Sequence, residues 1–151
     1  MSDEARLAAV AALIGLAGSP DHRDRADAGR SLASFAEVPG AGEALSGLML
    51  DAGDTFITRE TATALLRRQD SVGLAMVASA LTVADDNHAD WIHTAVLDVF
   101  MVFAHERDAA LRECEALAGG ADEQIHRGAR QLIDMLGKID PILRPVQDDH
   151  A

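Results

Sequence analysis

His88, Asp90 and His93 put two imidazoles and a carboxylate within one short stretch, directly after Asp85 and Asp86. A zinc-like ion needs three or four nitrogen, sulfur or oxygen ligands converging at about 2 Å. Asp90 and His93 are three positions apart, which on a helix brings them to one face. These three residues are therefore the candidate metal ligands. The chain lacks a His-x-x-x-His pair and an HExxH sequence, the spacings that clamp a metal most directly. The competing reading is a helix start, with Asp86 or Asn87 as the cap and Asp90 complementing the helix dipole. That reading is favoured here, and neither a metal nor another cofactor is expected.

A second acidic group comprises Asp21, His22, Asp24 and Asp27. Two carboxylates could act as acid and base if an apolar pocket raised one pKa. Nothing near these residues suggests such a pocket, so a solvated helix start accounts for them. Cys114 stands alone between Glu113 and Glu115, which excludes an intrachain disulfide and raises rather than lowers a thiol pKa. It reads as a buried, inert cysteine, in keeping with a reducing cytoplasm. A GxSxG elbow, a phosphate-binding loop and a dinucleotide fingerprint are all missing, and no catalytic residue is assigned.

The net charge is −12, with twelve Arg and one Lys, and the Arg residues are scattered except for the adjacent pair Arg67–Arg68. Such a balance repels phosphate and anionic lipid, so neither nucleic acid nor a membrane surface is an expected partner. It suits solubility or attraction of a basic protein. The apolar run Leu7 to Ala17 follows Ser2-Asp3-Glu4, which lacks the basic front end of a secretory signal, and it is too short to span a bilayer. Leu7, Val10, Ile14 and Ala17 share one helical face, so the run reads as an N-terminal capping helix.

The elements that position these residues show themselves as a repeat. Ala28, Ala62, Ala95 and Ala129 lie 34, 33 and 34 positions apart, each followed four residues later by Leu32, Leu66, Val99 or Ile133. Apolar residues at i, i+4 and i+7 make one helix face, and their return at a fixed interval points to stacked helical hairpins. Aromatics are 3% of the chain, so small residues must do much of the packing and a sheet sandwich is disfavoured. Punctuation agrees. Ser19-Pro20-Asp21, with Ser19 as the cap, Pro20 at the first helical position and Asp21 in the first turn, opens a first hairpin, which turns at Glu37-Val38-Pro39-Gly40 and closes at Asp51-Ala52-Gly53-Asp54. A second hairpin turns at Gln69-Asp70-Ser71, with Asp70 as a cap. A third turns near His105-Glu106-Arg107-Asp108, and a last helix covers about Glu123 to Gly137 before Pro141 and Pro145. The expectation is an all-α protein of about seven helices, a short α-solenoid of three to four hairpins. It comprises a single helical-repeat domain over 1–140 and a tail over 141–151, whose end, Gln147 to Ala151, is polar and frayed.

Arg25-x-x-Ala28-x-x-x-Leu32 and Arg59-x-x-Ala62-x-x-x-Leu66 resemble the first-helix signature of HEAT-like repeat proteins, the class that includes bacterial PBS-lyase-type repeats. The later copies carry Ile92 and His126 in place of the Arg. The resemblance covers about residues 20 to 137. It implies a curved helical stack that binds proteins, and it brings over no catalytic residue.

One edge changes character along the repeats. At equivalent positions Arg30 and Ser34, then Ala64 and Arg68, give way to Leu97 and Met101, and then to Gln131 and Met135. A large apolar patch on a polar protein needs a cover. The tail residues Ile142, Leu143 and Val146, neighbouring helices, or a protein partner could supply it. The second helices offer Glu43, Ser46, Ser79, Thr82, Arg112 and Glu115 as exposed recognition residues. The candidate partner-binding set is thus Leu97, Met101, Met135, Glu43, Arg112 and Glu115. The expected function is protein recognition without catalysis, in the cytoplasm. The alternative is an acidic immunity-type inhibitor that neutralises a basic toxin or another basic protein.

Overall fold

The structure is a computed structural model, and it describes residues 1–146. The described residues form eight α-helices and no sheet: α1 (Asp3–Ala17), α2 (His22–Leu32), α3 (Ala41–Met49), α4 (Thr55–Leu66), α5 (Ser71–Val83), α6 (Asp86–Phe100), α7 (Ala104–Ala118) and α8 (Glu123–Gly137). The chain is an all-α helical repeat protein with one helix more than its spacing suggested. A short 3-10 turn, Ala33–Phe35, follows α2. Gly40, with φ +91°, makes the left-handed turn into α3 that a side chain would resist.

Aspartates start most of these helices. Asp21, Asp54, Asp70, Asp85 and Asp122 each stand in extended backbone and accept a hydrogen bond from an N–H two or three residues on. Two expected caps move as a result. Asp21 rather than Ser19 caps α2, because the Ser19 hydroxyl accepts from the Asp21 N–H and donates to Asp24. Asp85 rather than Asp86 or Asn87 caps α6. The third hairpin turns at Met101 to Phe103, so His105 to Asp108 form the first turn of α7. No side chain caps α7. The Ala104 N–H donates instead to the Leu143 carbonyl of the distant tail, at 2.9 Å, a start signal that local sequence does not carry.

α2, α4 and α6 stack side by side, with α1 against α2 and with α3 and α5 behind. Ala28, Ala62 and Ala95 are wholly buried at these contacts. α1 buries Val10 and rests Leu13, Leu16 and Ala17 on the core, while Leu7 and Ile14 point out. The inward face therefore differs from Leu7–Val10–Ile14–Ala17. A helix apolar nearly all round gives periodicity nothing to choose by.

α8 departs from the stack. Its Ala129 is buried like the other marker alanines, yet the helix packs on α5 and α7 and has only slight contact with α6. The residue before each marker alanine is Asp27, Thr61, Thr94 and then Gly128. A Cβ on Gly128 would fall 1.7 Å from the Ala78 carbonyl oxygen of α5. The fourth copy thus uses this position for backbone contact with a second helix. Gly29 against the Thr61 hydroxyl, and Gly73 against the Leu65 carbonyl, make similar approaches, each 2.2 Å from an added Cβ.

The turns between hairpins are tied through Asp51. Its carboxylate accepts from the backbone N–H groups of Gly53 (3.0 Å) and Asp54 (2.8 Å) and from Arg25 Nε (3.1 Å). Arg25 Nη1 donates to the carbonyls of Ser19 and Pro20, both at 3.0 Å. The Asp51 carbonyl accepts from His88 Nε2 at 2.7 Å, while His88 Nδ1 donates to Asp85 at 2.7 Å. Both imidazole nitrogens thus face acceptors, which favours the imidazolium. The Asp51 carbonyl, helped by the Asp85 carboxylate and opposed by burial, holds the His88 pKa above its ordinary 6.5. At the hairpin turns Arg68 plays a similar part, donating to the Ala33 carbonyl (2.7 Å) and pairing with Asp70 and Glu37.

Replacing Gly128 by Ala should lower stability by about 3 kcal/mol, whereas Gly47→Ala, in open space on α3, should raise it by about 0.5–1 kcal/mol. Urea denaturation of both variants checks this. The His88 contribution is full below the ordinary imidazole range and is lost as pH rises through the raised folded-state pKa. The stability difference between wild type and His88→Ala should therefore be larger at mildly acidic than at alkaline pH; a difference that grew with pH would contradict the charged bridge.

Candidate interaction surface

Leu97 and Met101 lie one turn apart on the outer face of α6, 38% and 41% exposed. Met135, the third residue of the expected edge, is half-buried on α8 against the core. The tail returns to this region, but not as a cover. The Ile142 N–H donates to the Met101 carbonyl (2.9 Å) and the Leu143 N–H to the Val102 carbonyl (2.7 Å). Together with the bond from Ala104, these make a parallel bridge between Phe103 and Leu143. The tail thus docks through its backbone, leaving Ile142 and Leu143 69% and 52% exposed. Val146 is exposed as well, and Gln147 to Ala151 lie outside the described residues.

The result is a ledge of Leu97, Met101, Phe103, Ile142 and Leu143. Phe103 and His105 set their rings 5.6 Å apart at 44°, beside a shallow cavity of about 240 Å³ that Leu143, Arg144 and Pro145 complete. Arg107, nearly buried, anchors the ledge from beneath. It donates to the Ile139 carbonyl at 2.7 Å and the Leu136 carbonyl at 3.3 Å, holding the end of α8 where the tail begins. Phe103 was not singled out from the sequence. Its signal is the run Val99-Phe100-Met101-Val102-Phe103, which is longer than one apolar helix stripe and so must expose some of its members.

The other sequence candidates are dispersed. Glu43 on α3 and Arg112 and Glu115 on α7 are exposed; Arg112 and Glu115 share a face of α7, but α5 lies between the two helices, so Glu43 does not share a surface with them. Ser79 and Thr82 are not free, because α8 covers them. Gln124 Nε2 donates to the Ser79 carbonyl (3.0 Å) and hydroxyl (2.9 Å), and the Thr82 hydroxyl donates to the Gln124 carbonyl (2.7 Å).

The residues with the strongest look of chemistry serve the scaffold. His88 is engaged at both nitrogens by Asp85 and Asp51, while Asp90 is exposed and His93 half-buried. Among the described residues no three His, Cys, Asp or Glu side chains stand close enough to hold a metal. In the other acidic group, Asp24 accepts from Ser19 and Asp27 pairs with Arg30. No helix among the described residues is long and apolar enough to cross a membrane. Cys114 is fully buried on α7, and burial, reinforced by Glu113 and Glu115, pushes its thiol up to about 12.

No family model and no curated protein matches this chain. A solved structure, the crystal structure of an engineered protein, aligns with 90% of this chain and 67% of its own at 20% identity, with a TM-score of 0.39.

Cys114 should resist a thiol-specific reagent in the native protein and react fully in denaturant, since a buried neutral thiol is a poor nucleophile. Absorbance of the released chromophore measures both; prompt native reaction would show that α7 opens readily.

Proposed function

We propose that this chain is a protein-recognition module without catalytic activity, and that the ledge of Leu97, Met101, Phe103, Ile142 and Leu143 is its docking site. The observation that carries this reading is the manner in which the tail docks. It spends its backbone hydrogen bonds on the α6–α7 turn and adds its apolar side chains to an edge that was already exposed. Adjoining exposed apolar side chains on an otherwise charged protein mark a place where another molecule removes them from water. The resemblance of the first two repeats to HEAT-like proteins supports the same reading.

A basic partner fits this surface best. The chain carries −12, and α7, which leads away from the ledge, bears Glu106, Asp108, Glu113 and Glu115 against Arg107 and Arg112. A partner with an apolar anchor and surrounding Lys or Arg would gain both burial and electrostatic steering. An inhibitor that neutralises a basic toxin belongs to this class of complex.

The test uses immobilised wild-type protein beside a Met101→Asp/Ile142→Asp variant, with circular dichroism verifying that both are folded. A basic protein should be retained from cell extract by the wild type and lost from the variant, which gives up about 2 kcal/mol or more of binding energy. Its association rate should fall steeply with added salt. Equal retention by both proteins would rule out the ledge.

A further inference from the structure

The adjacent pair Arg67–Arg68 divides between two tasks. Arg68 is turned inward and used up by the Ala33 carbonyl, Glu37 and Asp70. Arg67 is exposed and makes no ion pair or side-chain hydrogen bond among the described residues. It lines a groove of about 650 Å³ across α2, α4 and α6, together with Arg30, Arg59, Glu60, Thr63, Ala64 and Asp98. Three guanidiniums of an acidic chain therefore meet in one concavity, opposite the two carboxylates of its lining.

Two of these guanidiniums are already held in place. Arg59 donates to Asp98 Oδ2 through Nε at 2.9 Å and Nη2 at 2.7 Å. Arg30 donates to Glu60 at 2.7 Å and also pairs with Asp27. Each guanidinium has five N–H donors, so both keep donors to spare. Arg59 and Thr63 on α4 and Arg67 at its C-cap, still in helical backbone, follow at i, i+4 and i+8, a row of donors along one helix face. Asp27, Glu60 and Asp98 balance the three guanidiniums in number, but all three engage Arg30 or Arg59 and none pairs with Arg67.

We propose that this groove binds an acidic peptide segment, with Arg67 taking one carboxylate, the Thr63 hydroxyl assisting, and the anchored Arg59 and Arg30 lining its course. Charge-assisted hydrogen bonds from arginine to carboxylate are strong and directional. The remainder of the acidic surface acts weakly on such a ligand, because charges beyond about 10 Å are largely screened at 0.1 M salt. The groove adjoins the apolar ledge, since Arg30 and Ala64 stand at the repeat positions of Leu97 and Asp98 follows Leu97, but its lining is different and its ligand is opposite in sign to the basic partner proposed there.

The probe is a capped peptide of alternating glutamate and serine, titrated into isotopically labelled protein and followed by amide chemical shifts. A lysine–serine peptide of equal length is the control. The glutamate peptide should produce saturable shifts at Arg30, at Arg59 to Arg67 and at Asp98, and the lysine peptide should not. Arg67→Ala should weaken binding about tenfold, and Arg67→Glu should abolish it. Arg112→Ala and the Met101→Asp/Ile142→Asp variant should leave it unchanged, which separates this site from the ledge. Absence of saturable shifts at millimolar peptide, binding insensitive to Arg67, or preference for the lysine peptide in the groove would each overturn the proposal.

Discussion

The contact between Gly128 and the Ala78 carbonyl is the constraint from which the surface of this protein follows. It lets α8 lie on α5 at a separation that no side chain would permit. With α8 there, Arg107 of α7 reaches the carbonyls at its end, and Pro141 is buried as the chain leaves the helix. The tail then meets the α6–α7 turn, where its backbone caps α7 and its side chains enlarge the apolar edge. A chain poor in aromatics and rich in Ala and Gly gains packing by bringing backbones close, and here that same economy of size decides where the exposed apolar groups end up.

Polar chemistry in this molecule is largely occupied with turns. Asp51, Arg25 and His88 connect three inter-hairpin turns, while Arg68 and Arg107 serve carbonyls at hairpin and helix ends. Loop backbone carries donors and acceptors that no helix ladder satisfies, and buried or half-buried ones need partners. Supplying them from side chains uses up residues that would look reactive if read one at a time. His88 illustrates this: the first of three residues that look like metal ligands instead joins the Asp85 helix cap to the neighbouring loop carbonyl of Asp51.

The ledge and the groove are two of the exposed regions, and their chemistries differ. The ledge is apolar and built from residues far apart in the chain. The groove is charged and built from three stacked first helices, with two of its arginines braced by carboxylates. In a repeat stack each helix contributes side chains to a surface that neighbours extend, so one short chain can present both an apolar edge and a charged groove.

Much of the architecture was legible in the sequence. The alanines spaced by about a repeat, the aspartates at helix starts and the glycine and proline breaks are local signals, because caps and core stripes depend on neighbours three or four residues away. They determined the helices, most of the turns, and the burial of Ala28, Ala62, Ala95 and Cys114. Tertiary structure decided the rest. Which face of α1 turned inward, where α7 began, that α8 would cover Ser79 and Thr82, and that the tail would join the apolar edge all depended on contacts between residues tens of positions apart. A helical period tells which side chains share a face; it does not tell which face another helix will meet. That choice is made by shape and by unpaired backbone groups when the pieces are brought together.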